Sequence, residues 1–85
     1  MLITYTKDWE VDDLNEGGTI KIESPNGSIE AVWMTSGGKG SVELVKNNTG
    51  LSDEEALEYI ENPDICQGYG EYEVVLPDFP GSPAS

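Results

Sequence analysis

No histidine and no arginine occur among the 85 residues, and the only basic side chains are Lys7, Lys21, Lys39 and Lys46. The missing histidine excludes His-dependent triads, histidine–metal sites and imidazole acid–base catalysis. The missing arginine removes the planar bidentate clamp for phosphate or carboxylate. Cysteine is limited to Cys66, so an intrachain disulfide and a cysteine metal cluster are both excluded. Lacking a histidine partner to make it a thiolate, Cys66 reads as a partly buried structural thiol. No hydrophobic run approaches a membrane span or a signal-peptide core, and Met1-Leu2-Ile3-Thr4-Tyr5 reads as the opening of a strand. These absences predict a cytoplasmic protein with no enzymatic activity, metal or cofactor.

What is present is acid. Seventeen Asp and Glu against four lysines give a net charge of −13 and a pI near 4.1. Such a chain cannot bind nucleic acid by neutralising phosphates, and an anionic membrane repels it. The charge is unevenly placed. Residues 1–46 hold eight acids and all four lysines, whereas residues 47–85 hold nine acids and no base. The rest of the composition is that of a folded protein: 36% hydrophobic, with two Trp, four Tyr and one Phe to seed a thin core.

Residues 2–11 alternate with period two and predict a strand, Ile3, Tyr5, Trp9 and Val11 lying on its core side. Asp12 to Gly18 is turn chemistry, and Thr19 to Glu23 a second short strand. Asn26-Gly27 is a hairpin signal requiring two positive φ angles, followed by a return strand over 28–35 with Ile29, Ala31 and Trp33 inward. Gly37-Gly38-Lys39-Gly40 is a second reversal, leading to a strand over 41–46. The period then changes to that of a helix. Ser52 and Glu55 form a capping box, Ala56, Leu57 and Ile60 make a buried stripe, and Pro63 stops the helix near Asn62. A last strand is predicted over 71–76. The expectation is a single α+β domain, 1–76, with a mostly antiparallel sheet of four to five strands and one helix packed on it in the order β-β-β-β-α-β. Residues 77–85 read as a flexible tail.

Most of the unbalanced charge falls on the helix and the last strand. Glu54, Glu58 and Glu61 share one helix face at i, i+4, i+7, and Glu71 and Glu73 point to one side of a strand. Like charges at such spacings cost a few tenths of a kcal/mol each, and a helix needing only solubility mixes in lysines. The candidate partner-binding set is therefore Glu54, Glu58, Glu61, Glu71 and Glu73, with Asp53, Asp64 and Tyr69 at the margin. Two other patterns fail on spacing. Counting a calcium loop from Asp13 puts Ser24 where the bidentate Glu is needed, and Gly37-Gly38-Lys39-Gly40 lacks the P-loop frame.

On size, on charge, and on the acidic runs Asp53-Glu54-Glu55-Ala56-Leu57-Glu58-Tyr59-Ile60-Glu61 and Glu71-Tyr72-Glu73, the chain resembles the small acidic counter-defence proteins of phages and mobile elements that imitate DNA. Anti-CRISPR proteins and restriction or glycosylase inhibitors are among them. The resemblance is one of kind across the chain and implies a non-enzymatic inhibitor whose partner is a basic, nucleic-acid-binding protein, such as a CRISPR-Cas or other defence nuclease complex. Two alternatives stand beside it: a small structural or assembly protein whose acidity serves solubility, and an immunity- or antitoxin-like nuclease inhibitor.

Overall fold

The computed structural model describes residues 1–75 and Phe79. Strands β1 (Leu2–Asp12), β2 (Asn15–Ser24), β3 (Gly27–Ser36) and β4 (Lys39–Asn48) form an antiparallel meander. Helix α1 (Asp53–Glu61) then crosses the sheet, and β5 (Gly70–Glu73) pairs antiparallel with β1 at the far edge, giving the order β4-β3-β2-β1-β5. The α+β fold with one helix is as the sequence predicts.

Several boundaries differ, each for a physical reason. The first reversal is confined to Asp13–Leu14, because the Asp12 carboxylate closes it by accepting from Leu14 N (2.9 Å) and Asn15 Nδ2 (2.8 Å). Both bonds favour the ionised form and hold the Asp12 carboxyl below its usual range. Glu16, Gly17 and Gly18 therefore belong to β2, where the glycines meet a packing need. A Cβ on Gly18 would lie 1.8 Å from the Thr6 carbonyl, and one on Gly17 would lie 2.6 Å from the Trp9 ring. The second reversal is Pro25–Asn26 and uses no positive φ, since proline locks its own φ negative. The turn with two positive φ angles is instead Gly37–Gly38, at +60° and +84°.

Alternation along β1 breaks at a bulge between Lys7 and Trp9. Ile3 and Tyr5 face the core as expected, but Trp9 and Val11 are turned out and exposed. The core comprises Ile3, Ile20, Ile22, Ile29, Ala31 and Trp33 from the sheet, with Ala56, Ile60, Ile65 and Phe79 over it. Trp33 lies in that core and donates from Nε1 to the Thr6 carbonyl at 2.9 Å.

The helix begins as its capping signals predict. Ser52 Oγ accepts from Glu55 N (3.2 Å) and donates to Glu55 Oε1 (3.1 Å). It ends at Asn62, whose extended backbone is the conformation required before Pro63. Ala56 and Ile60 are buried, while Leu57 is only half-buried. A small polar network ties the helix start to the sheet. Buried Thr49 donates to Asn47 Oδ1 (2.6 Å) and accepts from Leu51 N (3.1 Å), and Asn47 Nδ2 reaches Leu51 O (2.9 Å) and Asp53 Oδ1 (3.0 Å). Beyond β5, Met1 and Val74 exchange two backbone bonds of 2.8 Å. The predicted continuation to Leu76 lies outside the described residues. So does the predicted tail except Phe79, which is 2% exposed and packs its ring 5.3 Å from that of Tyr59.

Candidate functional site

One face of the sheet carries the helix, and the other is open. The helix packs its stripe toward Ile3, Ile20, Ile22 and Ile29 and turns its acids outward, so Asp53, Glu54, Glu55, Glu58 and Glu61 are all exposed. Asp64 continues the row in the following turn, where Asn62 Oδ1 accepts from its backbone N–H at 2.9 Å. Glu54 and Glu61 stand about 10 Å apart along the axis. Among the described residues, Glu54, Glu58 and Glu61 make no hydrogen bond or ion pair with one another or with a lysine. The face is a run of uncompensated carboxylates.

Glu71 and Glu73 lie elsewhere. Their register against Thr4 and Leu2 places them on the open side, because the intervening Tyr72 pairs with Ile3 and packs toward the core. The structure thus separates the sequence-derived set into a helix row on one flank and a strand pair on the other, with the β5 edge between them.

Tyr69 occupies a third position, and the reason is local. The Tyr72 hydroxyl accepts from the backbone N–H groups of Gln67 (2.7 Å) and Gly68 (3.3 Å), which pins the loop before β5. Tyr69 is thereby laid on Tyr5, ring centroids 5.0 Å apart and edge-on, and 5.7 Å from Trp33. Its hydroxyl lies 3.5 Å from Glu16 Oε1, and Lys7 Nζ stands 5.7 Å from its ring. Lys7 also pairs with Glu10 (3.0 Å) and Glu16 (3.7 Å). The bond to Glu10 raises the Lys7 pKa and lowers that of Glu10, while burial, followed by the Glu16 charge, raises that of Tyr69. A groove of about 400 Å³ joins Tyr5, Trp33 and Tyr69 to Glu16 and Glu61, linking this cluster to the end of the helix row. Tyr59, which stands off the apolar stripe, is half-buried against Phe79.

Sequence reasoning missed the open face itself. Trp9, Val32 and Met34 are exposed there around a groove of about 350 Å³. The bulge that turns Trp9 outward has no signature in the alternation, although two adjacent glycines opposite a tryptophan were the available hint.

Cys66 is free and half-buried beneath the helix end, its Sγ 3.9 Å from the Tyr59 carbonyl, and burial pushes its pKa up to about 11. Among the described residues, no group of three acidic or cysteine side chains is placed to hold a metal ion, and no helix is long and apolar enough to cross a membrane. No protein-family model, curated protein or solved structure matches the chain.

Proposed function

We propose that the protein is a non-enzymatic inhibitor that enters the nucleic-acid groove of a basic protein and occupies it with carboxylates. The observation that carries this reading is the placement of the charge: exposed acids on both flanks of the β5 edge of a body 44 × 22 × 18 Å, helix α1 itself bearing no cation. The described residues include sixteen acids and four lysines, so twelve net charges spread along 44 Å, about one per 3.7 Å. A duplex carries one charge per roughly 1.7 Å of axis, so the protein presents about half that linear density. A cleft that closes around a duplex meets charge from several sides at once, which suits acids on opposite flanks better than a flat interface does. Glu54, Glu58, Glu61 and Asp64 then supply steering and contact from the helix side, Glu71 and Glu73 from the other, and Asp53 and Tyr69 border the patch.

The test is capture from a lysate of the host cell on immobilised protein, followed by elution with duplex DNA. A captured basic protein is expected to be released by the DNA and by salt. A Glu54/Glu58/Glu61→Gln variant with an unchanged circular dichroism spectrum is expected to associate about tenfold more slowly and with a shallower salt dependence. Retention in the presence of duplex, or wild-type binding by the triple variant, overturns the reading.

A further inference from the structure

The open face of the sheet presents a tryptophan where strand periodicity would have buried it. Two features place it there. The bulge after Lys7 shifts the register, so Trp9 lies opposite Gly17 on the solvent side. The absent Gly17 side chain lets the indole lie down on the sheet, within 2.7 Å of where a Cβ would be. Glycine inside a strand weakens it, so this arrangement costs stability and leaves Trp9 44% exposed. Val32 (41%) and Met34 (46%) continue the apolar surface along β3.

Carboxylates flank the groove. Asp8 lines it beside Trp9, and Glu43 lines it from β4. Asp8 is held in place, since its Oδ1 accepts from the Thr6 hydroxyl and its Oδ2 from the Thr19 hydroxyl, each at 2.9 Å. A carboxylate accepts more than two hydrogen bonds, so capacity remains on both oxygens. No lysine lines the groove.

We propose that this groove binds an arginine side chain of a protein partner. The guanidinium stacks on the free face of Trp9 and donates to Asp8, while its methylene stem lies along Val32 and Met34 toward Glu43. A flat indole beside a fixed carboxylate matches a planar, forked cation better than the compact, strongly hydrated ammonium of lysine. A second copy of the chain is a poor occupant, because it contains no arginine and carries −13 of its own.

The probe is an acetylated, amidated peptide Gly-Ser-Arg-Leu-Arg-Ser-Gly, with its lysine-substituted counterpart, titrated at about 0.15 M salt and followed by NMR. The two indole N–H signals separate the sites, since that of Trp33 is bonded to Thr6. Saturable shifts of the Trp9 indole and the Met34 methyl are expected, with the arginine peptide bound about fivefold more tightly than the lysine one. Trp9→Ala and Asp8→Asn are each expected to weaken binding about fivefold to tenfold. Because Glu54 and Glu58 line neither this groove nor the one that meets it at Met34, a Glu54/Glu58→Gln variant should keep the Trp9 response, so this proposal and the acidic-groove reading fail separately. The absence of saturable shifts at Trp9, equal binding of the two peptides, or unchanged binding by Trp9→Ala overturns it.

Discussion

Single atoms decide several features of this protein. Burial makes the Cys66 thiolate unfavourable, raising its pKa from 9.0 to about 11, so at pH 8 the folded thiol is expected to react with iodoacetamide roughly a hundredfold more slowly than the urea-unfolded one. Native binding of the proton is the tighter of the two states between those values. Stability contributed by the thiol is therefore present below pH 9 and lost as pH rises toward 11. Equal alkylation rates in the folded and unfolded protein would show that the thiol is not shielded. Gly17 and Gly18 make a second contrast. The Cβ of a Gly18→Ala variant meets backbone, the Thr6 carbonyl, and cannot be relieved by a rotamer change, whereas the nearest atoms to that of Gly17→Ala all belong to the Trp9 ring. Gly18→Ala is expected to destabilise by about 1–3 kcal/mol or more in urea denaturation. Gly17→Ala should cost less while displacing Trp9, seen as a red-shifted, more exposed fluorescence. Equal losses in the two variants would contradict this assignment of faces.

The elements divide by how local their causes are. The helix could be read from its sequence because Ser52, Glu55 and Pro63 act within one turn of the ends they define, and the structure reproduces that start and stop. The reversal at Gly37-Gly38 was legible for the same reason. Asn26-Gly27 misled as to turn type because Pro25, one position earlier, occupies the first turn position and excludes a positive φ there. The outward turn of Trp9 depends on a bulge, which inserts a residue into the pairing of two strands and leaves the alternation of either one apparently intact. The acids were identifiable as exposed from their type and spacing. Their separation into two flanks was not, because it depends on β5 pairing with β1 so that Tyr72, rather than Glu71 or Glu73, faces the core.

For the molecule as a whole, self-repulsion opposes compaction. Two ion pairs, both made by Lys7, connect described residues, so most of the −13 is uncompensated. The melting temperature is expected to rise between about 0.01 M and 1 M sodium chloride, as the screening length falls from about 30 to 3 Å. An unchanged melting temperature would mean that the acids are too widely spaced to repel. Composition alone determined this charge and the excluded chemistries, since neither depends on how the chain folds. Local sequence determined the helix, its caps and the glycine turn, whose causes lie within a few residues. Only the tertiary structure decided which flank each acid occupies, that Tyr69 rests on Tyr5 and Trp33, and that Trp9 stands on the open face. Those placements arise from strand pairing between residues far apart in the chain, where a one-residue shift in register moves a side chain from one face of the sheet to the other.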